Sequence, residues 1–297
     1  MRSYTSLTND YGILSLNNSA ANITQGTRLI NDAIRVIVNK FYFNESSFTT
    51  TTVAGQQFYN LPPQCRKIIN VTGTIGTVVW VTKDCPDRNY WDVLNTIPFT
   101  QDFPMFHFIW NQNTQVGIWP TPASNGNTIT VNYQKRNIDL SQADYTTGTV
   151  TATNASSTLT FAGSTLVGNM ANRWIQISAP QGDNQWYQIL SVNVGASTAV
   201  LYGNYTGTTV SGASFTIGEM PVLPEDYQDL PLYRALEVYF TSIVPNVNQA
   251  KLYQGLYERG YEQLNADYGS KVTSVVLTSE DAPLINPNLF QNNVYQA

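Results

Sequence analysis

The chain has 297 residues and a net charge of −5, and only 12% of its residues are charged, about half the share of an average soluble domain. Twelve Phe, six Trp and 18 Tyr are too many for a disordered chain, no apolar run nears the ~20 residues of a membrane span, and 15 scattered Lys and Arg do not make a free-standing nucleic-acid binder. What remains is a polar, weakly charged, aromatic-rich protein whose surface suits extended contacts with other proteins.

Residues 1–23 are polar, weakly patterned and free of a secretion signal. They read as an N-terminal arm with a short ordered piece at Tyr11 to Leu16. Residues 24–43 then show helical period, with Leu29, Ile30, Ala33, Ile34, Ile37, Val38 and Phe41 on one face. Thr24 or Asn22 is the expected cap, and Asn44 the stop. From 46 to 136 the pattern shortens. Segments such as Lys67 to Val71, Gly76 to Thr82, His107 to Trp110, Gln115 to Trp119 and Thr128 to Gln134 are β-branched or aromatic and bounded by turn residues. They predict a small β domain of hairpins.

Between Tyr145 and Gly218 only Arg173 and Asp183 are charged. Short strands are expected at 148–153, 158–161, 174–178, 186–192, 199–202 and 214–217, which reads as an inserted all-β sandwich or barrel with Trp174 and Trp186 seeding its core. Helical period returns after Pro224. Asp229 is the expected cap of a helix with Pro231 in its first turn and a stripe of Leu232, Leu236, Tyr239, Phe240 and Ile243. Val244-Pro245-Asn246 breaks it, and a second helix runs from Val247 to Tyr268, with Gly269 as C-cap and a stripe of Ala250, Tyr253, Tyr257, Tyr261, Leu264 and Tyr268. So short a break predicts an antiparallel hairpin, with Gly260 allowing close approach. The last segment, 271–297, carries two prolines that exclude a helix. It also carries Leu284, Ile285, Leu289, Phe290 and Tyr295, apolar residues that call for a partner surface.

The fold class is therefore α+β. A helical bundle, made of the N-terminal helix and a C-terminal helical hairpin, is combined with a β-hairpin domain over 24–138 and 219–270. A β-sandwich or barrel is inserted at 139–218, and an extended tail follows.

Catalytic chemistry has little to work with. His107 is the sole histidine and lies in an apolar strand-like run, without a Gly-x-Ser-x-Gly elbow or a phosphate-binding glycine loop anywhere in the chain. Cys65 and Cys85 read as ordinary thiols rather than a zinc pattern. Six Asn-x-Ser/Thr sequons occur in a chain rich in Asn and Thr and carry little weight. No catalytic, cofactor or metal site is expected. A hydrolase built on paired carboxylates has only motif-less acids to draw on, such as Asp84, Asp102 and Asp183.

Charge is unevenly placed. Residues 1–136 hold 10 Lys and Arg against 7 Asp and Glu, and 137–218 hold 1 against 3. Residues 219–297 hold 4 against 10, a balance of −6.

The order of motifs is informative. After the first helix comes Thr-x-x-x-Gly-Gln-Gln-x-Tyr-x-Leu-Pro (Thr51 to Pro62). Gly117-Ile118-Trp119-Pro120-Thr121-Pro122-Ala123 follows, then Thr128 to Tyr133 with Lys135-Arg136, then Leu223-Pro224-Glu225-Asp226-Tyr227 opening the helical pair. This set resembles the head-to-tail adaptor (connector, head-completion) proteins of tailed double-stranded DNA bacteriophages, over about 24–136 and 222–270. The resemblance implies a virion structural protein at the neck, assembled in the host cytoplasm. It implies a ring of twelve copies under the portal protein, which joins head to tail or nozzle protein and retains packaged DNA. Double-stranded DNA passes through without specific binding, and no membrane is involved. On that footing the tail residues Leu284, Ile285, Leu289, Phe290 and Tyr295 are expected to dock on a partner. Glu225, Asp226, Asp229, Glu258, Glu262 and Asp267 are expected to line the channel, where carboxylates repel phosphates. The competing readings are a tail or neck protein whose β insert stacks glycans on Trp174, Trp186 and Tyr202, and a tail-terminator ring.

Overall fold

A computed structural model describes residues 1–269 apart from 42, 98 and 111–113. The apolar tail residues 284–295 therefore lie outside the described residues. The architecture is α+β. Among the described residues the α-helices are α1 (Tyr4–Leu14), α2 (Ala20–Phe41), α3 (Arg88–Asn95), α4 (Leu230–Val238) and α5 (Val247–Tyr268).

The expected arm is a helix. Ser3 caps α1 by accepting the Ser6 N–H at 3.2 Å, and Leu7 and Tyr11, one turn apart, are fully buried. Helix α2 starts earlier than its apolar stripe suggests, because Ser19 accepts the Asn22 N–H at 3.3 Å. Neither Thr24 nor Asn22 is the cap. The buried Asn22 amide instead donates to Ser15 Oγ at 2.8 Å and to the Asn17 carbonyl, tying α2 to the end of α1. The two helices meet at Gly26, where a Cβ would stand 2.2 Å from the Tyr11 ring.

Asp229 stands at the N-cap position of α4 but makes no capping bond; its carboxylate faces Arg2 instead, Nε to Oδ1 2.9 Å. The chain leaves α4 through a π-helical turn at Tyr239–Ile243. It breaks at Val244, and restarts under an Asn246 cap that accepts the Gln249 N–H at 3.2 Å. On α5 the tyrosine stripe is only partly inward. Tyr253 and Leu264 are buried, Ala250, Tyr257 and Tyr261 pack half-buried on the same cluster, and Tyr268 is exposed. Gly260 faces Leu230, whose Cδ2 would be 2.4 Å from an added Cβ. One apolar cluster gathers α1, α2, α4 and α5 around Ile34, Ile37, Leu236 and Phe240.

The middle of the chain forms β1 (Glu45–Thr51), β2 (Phe58–Asn60), β3 (Cys65–Ile75), β4 (Val78–Val81), β5 (Lys83–Asp84), β6 (Phe106–Trp110), β7 (Gln115–Trp119) and β8 (Thr128–Lys135). They build two four-stranded sheets, ordered β1-β8-β3-β4 and β2-β7-β6-β5. The Ser/Thr-rich run after Glu45 is a strand, paired along its whole length with β8. The sheets share one core of Tyr59, Leu61, Ile68, Val71, Val116, Ile118, Ile129, Val131 and Tyr133. The pure-hairpin expectation also missed α3. Asp87 caps it by accepting the Tyr90 N–H at 2.7 Å, and its Trp91 is buried, stacked on Phe108 at 5.4 Å.

Residues 149–218 supply β9 (Thr149–Ala152), β10 (Thr158–Ala162), β11 (Trp174–Ile177), β12 (Trp186–Asn193), β13 (Thr198–Leu201), β14 (Val210–Ala213) and β15 (Phe215–Gly218). They form one sheet ordered β14-β9-β10-β13-β12-β11-β15. Its two outermost strands are consecutive in the chain, with only Ser214 between them. The sheet therefore curls enough to bring its first and last strands end to end. The interior holds Leu159, Phe161, Ile175, Ile177, Ile189, Tyr205, Phe215 and Ile217. Trp174 and Trp186 do not seed it. Strand alternation puts Ile175 and Ile177 inward, so both tryptophans fall on the outer face, half-buried.

Candidate assembly surfaces

His107 is a packed residue. Thr82 Oγ donates to the Val71 carbonyl at 2.9 Å, so the hydroxyl oxygen takes the proton of His107 Nδ1 at 2.8 Å. Burial pulls the imidazole pKa below its usual value, against the opposing field of Asp84. Cys65 and Cys85 are buried free thiols, and burial pushes both pKa values up, away from thiolate chemistry. Among the described residues no cluster of His, Cys, Asp or Glu could hold a metal ion, and no helix is long and apolar enough to cross a membrane.

The two motifs around Gly55 and Trp119 meet in space. Gly55 N–H donates to the Pro122 carbonyl at 2.9 Å and Ile118 N–H to the Gln57 carbonyl at 3.0 Å. Gln57 Nε2 reaches Asn95 Oδ1 at the end of α3, 2.6 Å away. Asp102 accepts the N–H groups of Ala123 and Ser124 at 3.1 and 2.7 Å. Together they frame a groove of about 540 Å³ between Gly55, Gln57, Ile97, Phe99, Trp119 and Thr121. The motif residues thus fix a loop junction rather than perform chemistry.

An apolar edge lies in the same part of the molecule. Among the described residues no strand pairs with the outer edge of β4, and Val79 and Val81 are 62% and 64% exposed. Beside them Trp80 packs on Phe103, ring centroids 3.9 Å apart. Trp80 Nε1 is buried without a hydrogen-bond partner among the described residues. Phe103, Met105, Phe99 and Ile97 are also exposed. Sequence reasoning found the strand but not its openness, because Val-Val-Trp-Val reads equally well as a core strand. A bare apolar edge of this kind is a pairing site for another chain.

The acidic candidates do not form one site. Glu225 pairs with the N-terminal amine, and Asp229 with Arg2. Asp267 accepts the Tyr227 hydroxyl proton, a bond that leads the causes raising that phenol's pKa to about 12. Glu258 takes a hydrogen bond from Gln254 at 2.8 Å. Asp226, Glu258 and Glu262 remain exposed without an ion pair among the described residues.

An open apolar edge beside loops locked by short motifs is the kind of surface that meets other proteins. The family model of the SU10 adaptor protein matches residues 2–163, more than half of the chain. The chain belongs to that family and is a bacteriophage structural adaptor, a component of the virion that contacts other head or tail proteins. The match takes in α1 through β10 and stops short of α4 and α5. None of the curated proteins matches the chain.

Proposed function

We propose that this adaptor forms a closed ring, of twelve copies on the family pattern, beneath the portal. There it joins head to tail, retains packaged DNA and extends the DNA channel. The observation that carries the reading is the unpaired β4 edge with its exposed valines and the orphaned Trp80 N–H. A second copy supplies the natural cover, since a head-to-tail contact repeated around an axis closes a ring. In this reading α1, α2, α4 and α5 form the bundle of the adaptor core, and 139–218 is an inserted domain. Asp226, Glu258 and Glu262 are the carboxylates best placed to face DNA, and residues 280–297 dock on the portal.

The test is a Val79→Lys, Val81→Lys double variant, since lysines on edge strands block pairing. The variant is expected to keep its melting temperature yet fail to form rings on portal in native mass spectrometry. Undiminished rings refute the edge as the subunit contact. Truncation after Gly269 is expected to abolish portal binding; unchanged assembly removes the tail from the proposal.

A second reading has one observation in its favour. Trp174, Trp186 and the 59%-exposed Tyr202 stand at the outer face of the rolled sheet, the side from which aromatic rings stack on sugars. A glycan array with the full chain, compared with Trp174→Ala, decides it: no Trp174-dependent signal ends that reading.

A further inference from the structure

Among the described residues the sheet ordered β1-β8-β3-β4 has no strand beyond either side, and its two open sides are complementary. We propose that β4 of one copy pairs antiparallel with β1 of the next, so that this sheet runs unbroken around the ring. The pairing presupposes the ring reading and its β4 contact, and it names the strand that meets that contact.

Both open strands lack the usual protections. Sheet edges are commonly guarded by shortness, a bulge, proline or lysine. The other four-stranded sheet is guarded in this way: its edges are β2, three residues long, and β5, the two charged residues Lys83 and Asp84. By contrast β1 runs for seven residues with neither Pro nor Lys and no register shift against β8. Strand β4, Val-Val-Trp-Val, is uncharged and keeps an even register with β3.

Direction and backbone polarity agree. Every neighbouring pair in the sheet is antiparallel, so β1 and β4 run in opposite directions and a copy added beside β4 continues the alternation. Thr82 N–H donates to the Val71 carbonyl of β3 at 2.9 Å. Backbone groups of successive residues in an antiparallel strand face opposite sides, so those of Val79 and Val81 point away from β3. On the far side of the sheet, the Asn44 carbonyl accepts the Lys135 N–H and the Thr52 N–H reaches the Asn127 carbonyl, each at 2.7 Å. Residues 46, 48 and 50 therefore serve β8, and the backbone groups of Glu45, Ser47, Thr49 and Thr51 point outward.

The side chains fall on matching faces. The register carries Thr49 through Thr130 and Thr72 to Val81, and Thr51 through Thr128 and Thr74 to Val79. These residues make one outer face, while Phe48 and Trp80 lie on the other. Setting Val79 and Val81 opposite two of Ser47, Thr49 and Thr51 extends the same face across the contact and adds cross-strand pairs of the kind that stabilise sheets. The dimensions suit a ring. At about 4.8 Å between strands, four strands from each of twelve copies close a circle about 70 Å across, which leaves room for a central channel.

The full chain is assembled on portal and tested in two ways. Val79→Cys is combined in turn with Ser47→Cys, Thr49→Cys and Thr51→Cys. Residues directly opposite in a hydrogen-bonded antiparallel pair stand about 5.5 Å apart at Cα, within disulfide reach. One of the three combinations is expected to give a ladder of disulfide-linked oligomers after oxidation, resolved on a denaturing gel. Val79→Cys with Thr50→Cys, on the opposite face, is expected to give none. No ladder from any of the three combinations overturns the pairing, and so does a linked dimer from Val79→Cys alone, which would put β4 on β4. In the second test, Ser47→Pro and Thr49→Pro each remove an outward N–H that β8 does not use, and every register that covers β4 uses one of the two. At least one of them is expected to abolish rings in native mass spectrometry with the melting temperature kept within a few degrees. Rings lost in the Val79→Lys, Val81→Lys variant but intact in both proline variants keep β4 as the contact and overturn β1 as its partner.

Discussion

Tyr11 offers the sharpest test of how the N-terminal helix belongs to the core. Its ring is fully buried, set edge-on to Tyr239 with centroids 5.7 Å apart and pressed on the backbone at Gly26. Its hydroxyl has no hydrogen-bond partner among the described residues. Tyr11→Ala removes an aromatic ring from a packed site, a loss of about 3–5 kcal/mol. For a cooperative unit of 150–250 residues each kcal/mol moves Tm by about 2–4 °C, so the expected fall is on the order of 6–20 °C. Tyr11→Phe keeps the ring and deletes only the unpaired hydroxyl, so Tm should rise by a few degrees, about 1 kcal/mol of relieved desolvation. Gly26→Ala in the wild-type background drives a methyl into the ring and should cost about 1–3 kcal/mol. In the Tyr11→Ala background the same substitution meets a void, and alanine is the better helix former by about 1 kcal/mol. The sign of the Gly26 effect should therefore reverse between backgrounds. Urea unfolding followed by far-UV circular dichroism, with scanning calorimetry for Tm, measures the four variants beside the wild type. Additive effects in this double-mutant cycle, or a Tyr11→Ala protein melting within about 2 °C of wild type, would falsify the packing argument.

Two further outcomes follow from the β region. The imidazole of His107 has a folded pKa held below its unfolded value of about 6.5 by burial. The unfolded chain therefore binds the extra proton first, and stability present above about pH 6.5 is lost as pH falls toward the folded pKa. His107→Gln should flatten the difference in Tm between pH 7.5 and pH 5, and an unchanged slope would show that other groups set it. A Cβ at Gly117 would come within 2.8 Å of Trp91 and 2.9 Å of Phe58. Gly117→Ala should thus cost about 1–3 kcal/mol and perturb the near-ultraviolet tryptophan signal; an unmoved urea midpoint contradicts the contact.

Much of the architecture was legible because burial imposes a period. Helix α2 announces itself through Ile30, Ile34, Ile37 and Phe41, and the break at Val244 to Asn246 falls where Pro245 forbids a helix. What escaped the sequence was set by contacts between distant segments. Helix α1 gives the core just two fully buried apolar side chains, Leu7 and Tyr11, with Tyr4 half-buried beside them, and its docking depends on the missing side chain of Gly26, which no periodicity records. Strand β1 is a run of Ser and Thr that pairs because β8 lies beside it. The rolled sheet hides its tryptophans' direction, since Trp-Ile-Gln-Ile alternates whichever face is inside. At the candidate surfaces, acidic residues could be counted but not paired. The partners of Glu225 and Asp229 come from Met1 and Arg2, more than two hundred residues away.

The rolled sheet enters and leaves the core at a single point. Tyr145 and Ile217 exchange both backbone hydrogen bonds, each 2.8 Å long, so the two ends of a stretch of more than seventy residues stand side by side. Such a junction works as a socket. Removing what lies between these ends, or exchanging it for another fold with adjacent termini, leaves the spacing of the surrounding chain unchanged. An engineer can use the same two positions to hang a foreign domain on every copy of the adaptor in the particle.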